Sequence, residues 1–313
     1  MRRAHDDLRS GTRRRRPLRL GVLALLLTLV GLVVPNSGFA STEAELIKVQ
    51  HAQGVALDSD IIWILAVGSD ARPGEDMTRS RGDALQLIGM HTVTGAVTSI
   101  GVPRDSYVPI DGYGSNRINA SLYFGGPQLL AHTVGQLVGI EPDYVFVTRF
   151  KFFQALIDGV GGVDVQNPVA FDDTYLKPLG FEAGRIHLNG YGAMAFGRIR
   201  HNLPGGDFDR SANQQRVLAG IQAKVAERAD EPGFLEKGVL SVLEHTATDV
   251  GPGELFRIAQ VIAQAKHSKI TGCVIKGSFA TIGGASVVMP YLDQARAYGD
   301  DARDDAVIST CLG

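Results

Sequence analysis

Short apolar runs that alternate with helical segments are the feature that most restricts the fold of this chain. Runs rich in β-branched and aliphatic residues predict strands at 61–68, 84–91, 96–103, 143–150 and 270–275. Thr94-Gly95, between the second and third runs, predicts a hairpin turn. Because strands and helices alternate, we predict an α/β fold, a three-layer α/β/α domain with a central mixed β-sheet.

Helical periodicity lies between and after these runs. It predicts helices at about 127–138, 150–158, 191–200, 207–228, 232–246, 252–266 and 291–298. The glycine-rich residues 111–119 and the segment 167–187 are predicted to be loops.

An arginine-rich segment followed by an apolar run stands at the start of the chain. Arg13–Arg16 precede Leu20–Val34, a run that contains no charged residue. Acidic residues outnumber basic ones directly beyond it. Because basic residues favour the cytoplasmic side of a membrane, this pattern places the N-terminus inside the cell and the chain after residue 40 outside.

Two interpretations of the apolar run stay open. A membrane span takes about 17–25 residues, so a transmembrane signal anchor would occupy residues 18–35, after a cytoplasmic basic tail at residues 1–17. A cleaved signal peptide would instead end near residue 40, where small residues precede Ser41. We favour the anchor, with residues 41–58 as a linker to the exported domain.

The charge of the exported part argues against nucleic-acid binding. Residues 1–40 hold eight arginines and two aspartates, so 23 of the 31 basic residues and 31 of the 33 acidic residues remain, a net charge of −8. A diffuse basic surface is therefore excluded, and no helix-turn-helix pattern is present. Any anion-binding site must be local.

Arginine and aspartate recur in short blocks at the ends of the predicted elements. Ligands of α/β sheets bind at the carboxyl ends of strands, so several such blocks indicate one site. The blocks are Gly68–Arg72, Arg79–Asp83, Pro103–Asp105, Asn116–Asn119, Arg198–Arg200 and Asp207–Gln214.

These residue types suit a phosphate ligand. The guanidinium group matches phosphate oxygens in a bidentate manner. Two carboxylates, Asp70 and Asp83, could share one Mg²⁺ whose other ligands are waters and phosphate oxygens. Arg198 and Arg200 would diverge on a regular helix, so they converge only if the helix ends between them.

In this order, the blocks resemble the LytR-CpsA-Psr family of cell-wall assembly proteins. The motifs that carry the resemblance are Gly68–Arg72, Arg81–Asp83, Ser99–Asp105, Arg117–Ala120, Gly161–Val163, Leu188–Ala193, Arg198–Arg200 and Asp207–Gln214. We therefore assign residues 59–229 to the catalytic domain. Residues 230–313 resemble the C-terminal extension of some actinobacterial members. The chain departs from the family pattern at Gly82, where serine is usual, and at Asn213, where arginine is usual.

The resemblance implies a phosphotransferase. It would bind a polyprenyl-pyrophosphate-linked glycan and transfer the glycosyl phosphate to a peptidoglycan hydroxyl. Asp70 and Asp83 would hold Mg²⁺, or Mn²⁺ in its place, and Asp83, Asp207 and Arg104 would act in catalysis, either aspartate being a candidate general base. The pyrophosphate would be bound by Arg72, Arg81, Arg104, Arg117, Arg198, Arg200, Arg210 and Gln214.

Two further questions stay open at the level of sequence. An apolar groove for the lipid could be lined by Leu129, Leu130, Val134, Leu137, Phe152, Phe153, Leu156 and Phe196, although core packing explains these residues equally well. Cys273 and Cys311 lie in the exported part, where a disulfide between them can form.

Two other functions compete with the transferase. One is a pyrophosphatase that releases free glycan phosphate, because the same site could let water attack. The other is a non-catalytic exported protein that binds lipid carriers or wall polymers, which would not need the paired aspartates.

Overall fold

A seven-stranded sheet runs through the part of the chain that the computed structural model describes, residues 43–50 and 60–311. The strands are β1 (Ala44–Lys48), β2 (Ile61–Ser69), β3 (Gly82–His91), β4 (Val97–Gly101), β5 (Tyr107–Ile110), β6 (Gly114–Arg117), β7 (Tyr144–Arg149), β8 (Val163–Asn167), β9 (Phe171–Asp173), β10 (Lys177–Phe181), β11 (Gly184–Leu188), β12 (Ala247–Thr248), β13 (Ile270–Val274), β14 (Gly277–Ile282) and β15 (Ala285–Pro290).

The sheet has the order β12-β1-β7-β2-β3-β4-β13. Strand pairs β1–β12, β2–β7 and β4–β13 are parallel, whereas β1–β7, β2–β3 and β3–β4 are antiparallel. The prediction of an α/β fold with a central mixed sheet is thus confirmed.

Seven α-helices surround the sheet in the described part of the chain. They are α1 (Ala120–Val138), α2 (Phe150–Gly159), α3 (Gly190–Phe196), α4 (Asp207–Arg228), α5 (Phe234–His245), α6 (Pro252–Gln264) and α7 (Leu292–Ala302).

Alternation along β2 explains why both faces of the sheet are covered. Leu65 and Val67 pack with α1 and α7 on one face. Ile62, which is fully buried, and Ile64 point to the other face and pack with α5 and α6. Successive strand residues alternate between faces, so an apolar run such as 61–67 requires a helical layer on each side.

Helix α1 begins earlier than the pattern predicts and contains a break. Gly126 has φ +71°, a left-handed conformation, and Pro127 follows it. Proline lacks the amide hydrogen that a continuous helix would use, and glycine adopts the left-handed conformation without strain. The predicted start at 127 is therefore the second half of the helix, and residues 120–125 form the first half.

Several segments that we predicted as irregular are strands. Residues 111–119 contain β6, which pairs with β5, and residues 167–187 contain the hairpin β9–β10 and most of β11. Within the predicted linker 41–58, residues 44–48 form β1 inside the central sheet. These strands are short or polar, so their stability depends on pairing rather than on an apolar pattern.

The C-terminal residues contribute to the same sheet as the rest of the chain. Strand β13 pairs with β4, and α7 packs against the core under α1. Cys273 on β13 forms a disulfide with Cys311, 38 residues later. The hairpin β14–β15, which no pattern predicted, lies between β13 and α7 in the sequence.

The predicted membrane span at residues 18–35 falls outside the described residues. Within residues 43–50 and 60–311, none of the helices combines the length and apolar character that crossing a bilayer requires.

Candidate functional site

One edge of the central sheet collects the blocks of charged residues. Strands β2, β4, β7 and β13 run in the same direction, so their carboxyl ends meet at this edge, where the antiparallel β3 begins. Asp70 follows β2, Asp83 is the second residue of β3, and Arg104 lies in the loop after β4. Carboxyl ends of strands are the usual place for ligands in α/β sheets.

An arginine–aspartate cluster lies at this edge. It consists of Asp83, Arg104, Asp105, Arg117, Arg198, Arg200, Asp207 and Arg210. Asp83 forms an ion pair with Arg104, and its second carboxylate oxygen lies 3.9 Å from Nη2 of Arg198. Five arginines face three aspartates, so with all carboxylates ionised the cluster carries an excess of two positive charges. That excess favours an anionic ligand.

Asp105 lies close to three guanidinium groups of the cluster. Its carboxylate lies 3.7 Å from Nε of Arg104, 3.6 Å from Nη1 of Arg117 and 3.5 Å from Nη1 of Arg200. Burial opposes the charge on Arg104, but the adjacent Asp83 and Asp105 outweigh it and raise the pKa of the guanidinium. The Arg104 guanidinium is therefore stably charged.

The deepest part of the cluster is the pair Asp207–Arg210 on the first turn of α4. Both side chains are only 6% exposed. Burial raises the pKa of the Asp207 carboxyl and lowers the pKa of the Arg210 guanidinium. Among the described residues, the two oxygens of Asp207, Oδ1 of Asp105 and Nε of Arg104 are buried and form no hydrogen bond, although Oδ1 of each aspartate and Nε of Arg104 lie within ion-pair distance of an opposite charge. Buried polar atoms usually form hydrogen bonds, so a concentration of atoms that form none indicates a place where a polar ligand can bind.

Arg198 and Arg200 reach the cluster because α3 ends before them. We predicted a helix to residue 200, but α3 ends at Phe196. Arg198 stacks on the ring of Phe150, 4.2 Å from its centroid, and Arg200 turns to Asp105. The two side chains converge on neighbouring aspartates, which a continued helix would have prevented.

Gln214 lies at the margin of the cluster. Its side-chain oxygen accepts a hydrogen bond from Gln86 at 3.1 Å, and its amide nitrogen donates to the Gly197 carbonyl at 3.0 Å. Gln214 therefore joins α4 both to β3 and to the turn that carries Arg198.

Arg72 and Arg81 are not part of the cluster. Both side chains are exposed. Arg81 lines a separate pocket of about 380 Å³. The residues around this pocket are Asp70, Glu75, Asp76, Arg79, Ser80, Arg81 and Tyr123. Of the predicted phosphate-binding residues, Arg72 and Arg81 thus lie outside the arginine–aspartate cluster, on an exposed rim beside it.

Of the two predicted metal ligands, Asp70 directly follows β2 and Asp83 is the second residue of the neighbouring β3. Ser69 of β2 pairs with Gly82 of β3; Asp70 is the residue after Ser69, and Asp83 is the residue after Gly82. Oδ1 of Asp70 accepts a hydrogen bond from the Arg81 amide at 3.1 Å. Within the described residues no group of three or more histidines, cysteines or acidic residues is placed to hold a metal ion. Mg²⁺ usually takes one or two carboxylates and fills its other positions with water and phosphate oxygens, and Asp83 is already ion-paired with Arg104 here, so a metal held by Asp70 and Asp83 stays a prediction.

Two residues at this edge were not predicted. Arg149, the last residue of β7, is 7% exposed, and its guanidinium donates to the carbonyls of Ala71, Arg72 and Glu75. Gln86, 2% exposed, donates to the hydroxyl of Ser211 at 3.0 Å as well as to Gln214. For Gln86 the sequence held a signal, because this polar residue lies between Leu85 and Leu87. Arg149 follows the polar Thr148 at the end of its strand and gave no such signal.

The predicted lipid groove does not form as one surface. Leu130, Val134 and Leu137 are buried in the core under α1, together with the partly buried Leu129. Phe196 belongs to a second core with the partly buried Phe153 and Leu156. Phe152 instead contacts Phe146, on the sheet face that α5 and α6 cover. Core packing explains these residues.

Comparisons with known proteins agree with the motif blocks. The sequence model of the LytR_cpsA_psr family matches residues 34–301. A polyisoprenyl-teichoic acid–peptidoglycan teichoic acid transferase TagU from Bacillus anthracis is 33% identical over 200 residues, 63% of this chain and 63% of that protein. The chain thus spans about 63% of the length of the first curated relatives that it matches.

Solved structures share the fold. Bacillus subtilis TagU superposes with a TM-score of 0.58 at 25% identity, over 82% of this chain and 100% of that one. YwtF (TagT), a LytR-CPS2A-psr family protein solved with bound octaprenyl pyrophosphate lipid, has a TM-score of 0.61 at 19% identity, over 83% of this chain and 96% of that one. Since the family match extends over most of its length, this chain belongs to the LytR_cpsA_psr family.

Proposed function

We propose that this protein is a phosphotransferase of cell-wall assembly. It moves a glycopolymer phosphate from a polyprenyl-pyrophosphate carrier to a hydroxyl of peptidoglycan. The names of its relatives support a teichoic acid transferase, and a structural neighbour was solved with a polyprenyl pyrophosphate. Arabinogalactan is an alternative polymer.

The arginine–aspartate cluster is the observation that carries the proposal. Phosphoryl transfer depends on positioning and on neutralising charge, more than on covalent help from the protein. Five arginines at a sheet edge, with the deepest pair only 6% exposed, supply fixed positive charge where the low dielectric strengthens it. A binding protein would need the charge but not the adjacent Asp70 and Asp83.

The cluster also suggests a division of labour. Arg104, Arg117, Arg198, Arg200 and Arg210 hold the pyrophosphate, Gln214 orients the end of α3, and Arg72 and Arg81 approach from the rim. Asp70 and Asp83 would hold Mg²⁺ or Mn²⁺, and the ion would neutralise charge on the phosphate oxygens. Asp83 or Asp207 accepts the proton of the attacking hydroxyl.

The location of the substrates fits the predicted topology. A polyprenyl carrier is confined to a membrane, so a domain anchored through residues 18–35 and facing the outside would search for it in two dimensions. Secretion after cleavage near residue 40 is the alternative. Nucleic acid is not an expected partner, because the exported part is acidic.

A transfer assay tests the proposal. Peptidoglycan is incubated with a radiolabelled lipid-linked oligosaccharide and the full-length protein. We expect label in the insoluble wall fraction, and Arg198→Ala should lower the rate by about 10²–10³-fold, as loss of one charge-stabilising donor does elsewhere. Arg303→Ala, a substitution of an exposed arginine that bonds the Gly139 carbonyl, serves as the control.

The same assay separates the competing functions. Label found solely in the soluble fraction would identify a pyrophosphatase. Full complementation of a wall-polymer defect by the double variant Asp70→Ala/Asp83→Ala would identify a binding protein.

A further inference from the structure

Two exposed tyrosines stand beside the pocket that contains Asp70 and Arg81. Tyr123, on the first half of α1, is 61% exposed and lines the pocket, and Tyr113, in the turn between β5 and β6, is 52% exposed. Aromatic rings of this size are normally more buried, and exposed ones next to a site often contact a ligand.

The two tyrosines belong to an aromatic platform with Phe124. The rings of Tyr113 and Phe124 stack at 4.7 Å with an angle of 5° between their planes. Tyr123 meets Phe124 edge to face at 5.8 Å. Phe124 itself is partly buried against the core under α1, so the platform is attached to a rigid part of the fold.

Hydrogen bonds fix the platform to the rim of the pocket. The carbonyl of Phe124 accepts from Nη1 of Arg79 at 3.0 Å and from the hydroxyl of Tyr113 at 3.3 Å. The Arg79 guanidinium lies against Gly126, where α1 breaks. The break thus allows an arginine of the pocket and the aromatic residues to share one carbonyl.

The remaining wall of the pocket is polar. Its carboxylates come from Asp70, Glu75 and Asp76, and its guanidinium groups from Arg79 and Arg81. The volume of about 380 Å³ lies in the range of small-molecule sites, about 300–1,000 Å³. An apolar ring face next to hydrogen-bond acceptors and donors matches a pyranose, whose C–H face is apolar and whose hydroxyls both donate and accept.

We propose that this pocket binds a saccharide ring of the glycan, with Tyr123 stacking on the sugar and the carboxylates of Glu75 and Asp76 accepting hydrogen bonds from its hydroxyls. The inference rests on the proposed function for the identity of the ligand. A lipid tail or an anionic peptide would face three carboxylates here, which disfavour both. Arg81 lies two residues before Asp83, so a sugar in this pocket lies beside the phosphate bound by the cluster.

The sugar could come from the lipid-linked donor or from the peptidoglycan acceptor. Transfer kinetics of the full-length protein distinguish the two. We expect Tyr123→Ala to raise the KM for one substrate by about two- to tenfold, because one aromatic contact is lost. The kcat should change less than twofold. Tyr123→Phe keeps the ring and should retain the wild-type KM. Tyr291→Ala, at a tyrosine with 51% exposure on the C-terminal part, is the matched control.

A binding measurement that needs no turnover completes the test. The tetramer of β-1,4-linked N-acetylglucosamine is titrated calorimetrically into wild type, Tyr123→Ala, Tyr123→Phe and Tyr291→Ala. An affinity that falls only in Tyr123→Ala, or a raised KM for either substrate, supports the saccharide site.

Unchanged KM values for both substrates together with equal or absent oligosaccharide binding in all four proteins would overturn it. If the wild-type protein transfers nothing, the proposed function fails, and the calorimetric comparison still decides whether the pocket binds a sugar. Circular dichroism of each variant confirms that the exposed substitutions leave the fold intact.

Discussion

Nη1 of Arg200 lies 3.5 Å from Oδ2 of Asp105, although 95 residues separate them in sequence. Oδ1 of the same carboxylate lies 3.6 Å from Nη1 of Arg117. Arg104 also approaches this carboxylate, so one aspartate lies between guanidinium groups from three separate segments of the chain. Without that carboxylate the arginines would repel one another.

Asp105→Asn should therefore destabilise the protein as well as the site. We expect the free energy of unfolding to fall by about 1.5–3 kcal/mol, the range for a lost hydrogen bond to a charged group. Urea denaturation measures this, with Asp304→Asn at an exposed position as the control. Equal stability of the two variants would show that Asp105 does not hold the arginines.

Arg149 should act on the site through the loop that follows β2. Its guanidinium bonds three carbonyls of residues 71–75, so Arg149→Met should lower the free energy of unfolding by about 3 kcal/mol. Faster hydrogen exchange of the amides of residues 70–76 would report the loosened loop. Arg303→Met removes a hydrogen bond to the Gly139 carbonyl and an ion pair with Asp300, and it should leave exchange at residues 70–76 unchanged.

The pH dependence of transfer tests Asp207 as the general base. Burial raises its pKa above the ordinary value of 3.8. A base acts only when deprotonated, so activity should fall as the pH decreases through this raised pKa, with a midpoint above 3.8. The rate is measured from pH 3 to about pH 8, and Asp83→Asn and Asp207→Asn are compared by single-turnover kinetics. An acid limb that survives unchanged in Asp207→Asn would assign the base to another group.

The disulfide should stabilise the fold without taking part in catalysis. It closes a chain segment with a sequence separation of 38 between Cys273 and Cys311, for which restriction of the unfolded state is worth about 4 kcal/mol. Reductant should thus lower the stability of the wild type and leave that of Cys311→Ala unaffected. A reductant effect of the same size in both proteins would mean that the bond contributes nothing.

Local pattern was sufficient for the long elements. The apolar runs of β2, β3 and β7 and the 22-residue α4 lie close to their predicted ranges, because each has a strong periodicity of its own. Strands β1, β6, β9 and β10 were not predicted, since short or polar strands are stabilised by their partners. The linker assigned to residues 41–58 was wrong at 44–48 for this reason.

The sequence by itself determined which residues could form a phosphate site: the arginine and aspartate blocks, in their order, identified the family. Only the tertiary structure decided which of them meet. Arg104, Arg117, Arg198, Arg200 and Arg210 converge, while Arg72 and Arg81 stay on the rim. These side chains converge because α3 ends at Phe196 and because several strands of the sheet run in the same direction. Both features depend on packing between segments that are far apart in sequence, as Asp105 and Arg200 are. Local sequence carries no measure of that packing, so Arg149 and the aromatic platform became visible only in the fold.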